Sequence, residues 1–140
     1  MYVIIVAAIG SGLAPFNLPP SAAFLEYFGL NIGRLALLVH FGYGALWSLV
    51  LVGLFQEKTT VLKGNLLALV LWLVMMIGYG PSMGWGFFGA GSAAQLPSNH
   101  PLYLAPGPKY VIATLLLHLV YGTIIGWLNP AWINFKASRR

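Results

Sequence analysis

Long apolar runs, rather than alternating apolar and polar positions, dominate this chain. One extends from Leu35 to Phe55 without a charged residue. A second extends from about Val61 to Tyr79 and stops at Gly80-Pro81, and a third extends from about Tyr110 to Leu128 and stops at Asn129-Pro130. About 20 apolar residues are needed to cross the hydrocarbon core of a bilayer, and proline does not continue a helix. The three runs therefore predict three membrane-spanning helices.

The N-terminal run is apolar but shorter. Tyr2 to Leu13 ends at Ala14-Pro15 after 12 residues, which is too few to span a bilayer alone. It lacks the basic start and the small-residue cleavage site of a signal peptide. We interpret it as a spanning helix whose first turns are missing from the sequence. The four runs then predict an all-α fold, a polytopic membrane four-helix bundle that forms a single transmembrane domain over 1–140.

Two short patterns occur in the same order in both halves of the chain. The pattern I-G-x-G occurs at Ile9–Gly12 and Ile77–Gly80, and a proline follows each. The pattern H-x-x-Y-G occurs at His40–Gly44 and His118–Gly122. We therefore predict two repeated helical hairpins, about 1–60 and 61–140, related by an axis along the membrane normal. The second half has the longer outer loop, about 80–108.

Composition agrees with this interpretation and excludes several classes of protein. Hydrophobic residues make up 59% of the chain and charged residues 6%, whereas a soluble domain has about a quarter charged. A soluble enzyme, a disordered tail and a nucleic-acid-binding module are excluded on this ground. The chain has no cysteine, which excludes disulfides, iron–sulfur ligation and thiol catalysis.

Basic residues predict the orientation of the bundle. One side carries five of them and the other side two: Lys58, Lys63, Lys136, Arg139 and Arg140 against Arg34 and Lys109. The positive-inside rule then places the C-terminus in the cytoplasm and residues 80–108 outside, in a bacterial inner (cytoplasmic) membrane. This bias and the anionic lipid headgroups account for the net charge of +5, so it does not indicate nucleic acid.

The second and fourth predicted helices each carry a histidine, a tyrosine and small residues on one face, because positions i, i+3 and i+4 are neighbours on a helix. These are His40, Tyr43, Gly44 and Ser48 on the second helix, and His118, Tyr121, Gly122 and Gly126 on the fourth. Small residues four apart let helix backbones approach closely in lipid. We therefore predict that these two faces pack against each other.

A histidine within a membrane needs a partner for its polar nitrogens. One interpretation is structural: His40 bonds Tyr121, or His118 bonds Tyr43, across the seam. Another is that the two histidines ligate a b-type haem, or that one ligates the magnesium of a chlorophyll, although close-packed glycines leave little room for a porphyrin. A third is a proton relay, which the absence of a buried carboxylate weakens. No other metal site is predicted.

The outer loop is uncharged and aromatic. Trp85, Phe87 and Phe88 alternate with glycines, a composition that suits the membrane interface, where aromatic rings are favoured. We expect these three side chains to anchor the loop or to dock a partner. It is not a phosphate-binding loop, because no strand precedes it and no Lys-Ser/Thr follows.

Catalysis has few candidate residues. Glu26 and Glu57 are the only carboxylates, and the predicted topology places them on opposite sides of the membrane. A paired-carboxylate site and an Asp-oriented triad are therefore not available within the chain. We predict that the protein is not an enzyme.

Two segments carry a resemblance to a known group of proteins. The stretch His118-Leu-Val-Tyr-Gly-Thr-Ile-Ile-Gly and the earlier Pro81-Ser-Met-Gly-Trp-Gly-Phe-Phe-Gly resemble a family of small bacterial four-helix membrane proteins of unknown function. The Met1-Tyr2-Val3 stretch looks like the middle of that family's first helix. The resemblance implies a four-helix fold and no established activity.

Together these features predict a non-catalytic membrane subunit of a larger bioenergetic complex, respiratory or photosynthetic, with a structural or assembly role. Its expected partners are the lipid bilayer, bound lipids and other integral membrane subunits. One alternative is a tetrapyrrole carrier that uses His40 and His118. Another is a small transporter or channel, which the repeated halves and the glycine-broken helix ends favour.

Overall fold

Helices make up the fold of this computed structural model, which describes residues 1–30 and 33–137. Within 33–137, side chains are described for residues 34–129. Its α-helices are α1 (Tyr2–Gly10), α2 (Pro20–Tyr27), α3 (Gly33–Phe55), α4 (Val61–Val74), α5 (Gly80–Ser82) and α6 (Lys109–Ala137). Single 3-10 turns cover Gln56–Lys58, Phe87–Gly89 and Ser92–Gln95. Arg139 and Arg140 of the predicted basic tail lie outside the described residues.

Three helical stretches are long and apolar enough to cross a membrane, which confirms the predicted class of protein. They are Arg34–Lys58, Val61–Ser82 and Lys109–Asn129, with mean hydropathies of 1.9, 2.0 and 2.0. By contrast, α1 has nine residues and is about 13 Å long at 1.5 Å per residue. It is too short to be a fourth span.

One helix end and one whole helix differ from what the sequence predicted. The last helix does not stop at Asn129-Pro130; α6 continues to Ala137. Membrane helices tolerate an internal proline because neighbouring groups can satisfy the freed backbone carbonyl. The short helix α2 was not predicted at all, although Pro20 occupies its first position, where proline is favoured.

The end of α4 widens into a π turn. Residues Met75–Tyr79 form this turn, and α5 continues the same helical rod. Pro81 explains the widening, since in a regular helix its ring would collide with the carbonyl of Ile77 four residues earlier. A side chain at Gly80 would lie 2.8 Å from the Met75 carbonyl oxygen, so the turn requires glycine there.

Glycines bring α4 and α6 into backbone contact. A Cβ atom on Gly122 would lie 2.6 Å from the Gly64 carbonyl oxygen and 2.8 Å from the Ala68 Cβ. A Cβ on Gly126 would lie 2.6 Å from the Cα of Val61. The sequence had assigned Gly122 and Gly126 to a seam with the helix now called α3. The structure packs them against α4, because Gly64 and Ala68 form a second small-residue pair that the sequence interpretation overlooked.

Residues 83–108, the cap, fold into a compact segment that is joined to the N-terminal part of the chain. The Ala105 amide donates to the Pro15 carbonyl (2.7 Å), and the side-chain amide of Asn17 donates to the carbonyls of Ser98 (2.7 Å) and His100 (2.9 Å). Within the cap, the Trp85 indole donates to the Leu102 carbonyl (3.0 Å). The cap is therefore a folded part of the molecule and not a loose loop.

Candidate functional site

The two histidine–tyrosine faces lie where α3 and α6 come together beside α1. We call Tyr2, His40, Tyr43, His118 and Tyr121 the His–Tyr site. Tyr2 belongs to α1, His40 and Tyr43 to α3, and His118 and Tyr121 to α6. The sequence interpretation did not include Tyr2.

Tyr121 joins α6 to α3 through the backbone of a glycine. Its hydroxyl donates to the Gly44 carbonyl oxygen at 2.6 Å, and a Cβ on Gly44 would lie 3.6 Å from the Tyr121 ring. A carbonyl that already accepts a helical hydrogen bond has a second lone pair for such a donor. The phenol therefore bonds the backbone, where the sequence had paired it with an imidazole.

His118 is oriented by its own helix. Its Nδ1 lies 2.8 Å from the Thr114 carbonyl oxygen, so the tautomer with a proton on Nδ1 donates to that carbonyl. The other ring nitrogen, Nε2, is then the acceptor. The ring is thus positioned from one side, and the structure does not bond it to Tyr43.

His40 packs against an aromatic ring. Its ring centroid lies 5.2 Å from that of Tyr2 at an interplanar angle of 61°, an edge-to-face contact, and 6.0 Å from that of Phe41. Tyr43 is 43% exposed and its ring contacts Trp47 at 6.0 Å. The structure thus brings His40 to Tyr2, while Tyr43 faces outward.

Two further polar contacts fasten α6 to its neighbours. The Asn129 side-chain amide donates to the Ser48 hydroxyl (3.1 Å), and the Thr123 hydroxyl donates to the Asn65 side-chain oxygen (3.2 Å). Gly44 and Ser48 therefore do face α6, as the sequence predicted, but through hydrogen bonds. Asn65 and Asn129 could have been found from sequence, since an amide within an apolar span needs a partner.

Trp72 and Thr114 form a buried polar link between α4 and α6 that the sequence interpretation missed. The Trp72 indole donates to the Thr114 hydroxyl at 3.1 Å, and that hydroxyl donates to the Tyr110 carbonyl at 2.6 Å. The sequence could have indicated this link, because the N–H of a buried tryptophan usually finds a hydrogen-bond acceptor.

The three aromatic side chains assigned to partner docking divide into two kinds. Trp85 is fully buried, with its ring stacked 5.9 Å from that of Phe16 and edge-on to that of Tyr110 at 5.3 Å. It stabilises the cap and cannot reach a partner. Phe87 and Phe88 are 63% and 43% exposed and remain accessible.

The geometry limits which cofactor the site can hold. The described part of the chain contains no group of three or more His, Asp or Glu side chains that could bind a metal ion. A cavity of about 240 Å³ lies between α1 and α6, and neither histidine lines it. What the site does offer is one oriented imidazole, His118, with Nε2 as a possible axial ligand.

Comparison of the chain with protein-family models, with curated proteins and with solved structures finds no match in any of the three.

Proposed function

We propose that the chain is a non-catalytic integral membrane subunit that binds a transmembrane helix of another subunit through the outward face of α3. Two glycines on that face carry the proposal. Among the described residues, no atom lies within 4 Å of the position where Gly42 or Gly53 would carry a Cβ. They are 11 residues apart, three turns of helix, and so share a face.

Glycine in a helix costs about 1 kcal/mol relative to alanine, so these positions need an explanation. Gly64, Gly122 and Gly126 offset this cost by letting two backbones meet between α4 and α6. Gly42 and Gly53 have no such contact with the part of the chain that the structure describes. A second helix that packs on α3 in the same way would supply it.

The neighbouring side chains support a helix as the partner. Leu38, Leu46 and Leu49 lie on the same side of α3 and are more than half exposed. In the most apolar stretch of the α3 span, only 11% of the residues are buried within the protein, against 33% in the span that begins at Val61. The α3 surface thus offers two glycine gaps flanked by leucines, the arrangement into which a partner helix packs.

The proposed host is a respiratory or photosynthetic electron-transport complex in a bacterial inner membrane, with the C-terminus in the cytoplasm. The support is compositional: a small chain with 6% charged residues and two carboxylates has little chemistry of its own. The exposed Phe87 and Phe88 add an aromatic surface on the cap.

Blue-native electrophoresis after mild detergent extraction tests the proposal. We expect the wild-type chain to migrate with co-purifying membrane subunits, and Gly42→Leu and Gly53→Leu to release it. Gly10→Leu on α1 is the matched control, since that glycine also has no atom within 4 Å, and it should leave the assembly intact. Wild-type protein that migrates alone, or only with copies of itself, contradicts the proposal.

A second candidate is tetrapyrrole binding, which the hydrogen bond of His118 favours. Metal-ligating histidines usually donate their second ring N–H to a carbonyl or carboxylate, and His118 has this bond to Thr114. We expect a Soret band in the purified protein that disappears in His118→Ala and persists in His100→Ala, whose ring lies in the cap. A colourless preparation contradicts this candidate.

We further infer that α1 is embedded in the membrane beside α6 and that the two halves of the chain are repeats. Both I-G-x-G segments lie at helix ends, since α1 ends at Gly10 and Ile77–Gly80 spans the junction of the π turn and α5. Each histidine lies on the next long helix, His40 on α3 and His118 on α6, although the short helix α2 intervenes in the first half. These correspondences support two related hairpins.

A further inference from the structure

A groove between α1 and α6 is built entirely from apolar side chains. It encloses about 240 Å³ and is lined chiefly by Ile4, Ile5, Ala8, Ala113, Leu116 and Leu117. Phe16 also lines it and is buried, as is Ile5. The rim is open, with Leu13 78% and Leu116 57% exposed. The groove therefore opens to the surroundings of the helices.

Those surroundings are hydrocarbon. Ala113, Leu116 and Leu117 lie within the membrane span Lys109–Asn129, one to two turns below its first residue. An apolar hollow at this depth does not hold water, and an empty one would lose dispersion contacts along its walls. A segment of an unbranched acyl chain matches these apolar walls and would lie between the two helices.

A cation lies one helical turn above Ala113, which belongs to the α6 wall of the groove. Lys109 is exposed at the first residue of α6, and Ala113 follows four residues later on the same face of the helix. A lysine at this position faces the headgroup region when the residues below it are in hydrocarbon. It complements the phosphate of a lipid whose chain lies in the groove.

We propose that this groove and Lys109 form a binding site for one anionic glycerophospholipid. The acyl chain packs between α1 and α6, and the phosphate pairs with the Lys109 ammonium. Ala8 and Ala113 make the hollow, because a larger side chain at either position would fill it. The site is independent of the partner surface on α3, so either proposal can fail without the other.

Native mass spectrometry of the detergent-purified full chain tests the site. The protein is exchanged into an equimolar mixture of phosphatidylglycerol and phosphatidylcholine with identical chains. We expect the wild-type to retain one lipid, mostly phosphatidylglycerol. Lys109→Gln should lower the preference for phosphatidylglycerol about fivefold, since one basic residue contributes roughly 1 kcal/mol at an anionic surface. Ala113→Trp should abolish retention of both lipids.

Matched substitutions elsewhere distinguish a specific lipid site from a general effect of lost charge or added bulk. Arg34→Gln removes the other basic residue predicted on that side, and Ala45→Trp adds the same bulk on the exposed face of α3. Neither should change lipid retention. If Arg34→Gln lowers the preference for phosphatidylglycerol as much as Lys109→Gln does, the assignment of Lys109 to the lipid site is contradicted. If Ala113→Trp does not fold, Ala8→Leu fills the same groove, and unchanged retention in Ala8→Leu overturns the proposal.

Discussion

A single buried hydroxyl joins two helices of the membrane domain. Thr114 accepts from the Trp72 indole and donates to the Tyr110 carbonyl, so it links α4 to the first turns of α6. Polar pairs inside a membrane contribute about 0.6 kcal/mol each and at most about 1.7 kcal/mol. This link therefore fixes the pairing of two helices at a modest gain in stability.

Removing the indole N–H tests that estimate. We expect Trp72→Phe to lower the free energy of unfolding in bicelles by about 1 kcal/mol, because the aromatic ring stays but the bond to Thr114 is lost. Trp127→Phe is the control, since Trp127 is 67% exposed. Equal effects of the two substitutions would show that loss of ring area, rather than the hydrogen bond, is responsible.

Glycines in this chain have different roles that depend on what faces them. We expect Gly122→Ala to destabilise the isolated protein by about 1–3 kcal/mol, because its Cβ would lie 2.6 Å from the Gly64 carbonyl and the Asn65 side-chain oxygen. Unfolding in detergent measures this. Gly53→Ala meets nothing within 4 Å and should be neutral or slightly stabilising. If Gly53→Ala destabilised the protein, Gly53 would have to contact another part of the chain on the outward face of α3, which would contradict this assignment.

At the scale of the elements, α3 is attached to the bundle by a few polar contacts. Tyr121 and Asn129 of α6 hold it at Gly44 and Ser48. We expect Tyr121→Phe to loosen α3, because the shortest of these bonds, at 2.6 Å, is lost. Hydrogen exchange of amides on α3 in nanodiscs measures the effect, which should exceed fivefold for a bond of about 1 kcal/mol.

The matched control for this prediction is Tyr43→Phe. Tyr43 lies one residue before Gly44 on α3 itself and is 43% exposed, so its hydroxyl does not hold α3 against α6. Faster exchange in Tyr43→Phe than in Tyr121→Phe would contradict the assignment of Tyr121 as the tether.

The elements were predicted better than their pairing. The spans that begin at Leu35, Val61 and Tyr110 follow from length and absence of charge, and the structure places each start within two residues of the prediction. Their mutual packing could not be predicted in the same way, because lipid is as apolar as leucine and the helices lack a distinct polar face. The Gly64-x-x-x-Ala68 pattern and the polar side chains within the spans carried that information.

Trp85 shows the same limit within the cap. An aromatic residue among glycines in an uncharged loop resembles an interfacial anchor in sequence. The structure buries it because Phe16, about 70 residues earlier in the chain, supplies the stacking partner. A contact across that separation leaves no local pattern from which it could be predicted.

For the whole molecule, the three spans predict which segments share a side of the membrane. The chain has no native cysteine, so single cysteines can report exposure directly. We expect Ser98→Cys, in the cap, to react with a membrane-impermeant maleimide in intact bacterial spheroplasts. We expect Glu57→Cys to react only after permeabilisation, because the basic residues favour the cytoplasm at that end.

The parent protein, which should remain unlabelled, is the control. Reaction of both cysteines from the same side would contradict the span that begins at Val61, since that span separates them. Reaction with the sides exchanged would leave the three spans intact and contradict the proposed orientation.

The contacts that join the cap to Pro15 and Asn17 also set an order for biogenesis. The partners of these two residues are Ala105, Ser98 and His100, more than 80 positions later in translation. Pro15 and Asn17 therefore leave the ribosome long before these partners exist. Closing so long a loop is entropically costly and can occur only after the helical rod that begins at Val61 has been synthesised. Final docking of Pro15 and Asn17 to the cap is thus a late step in the synthesis of this protein.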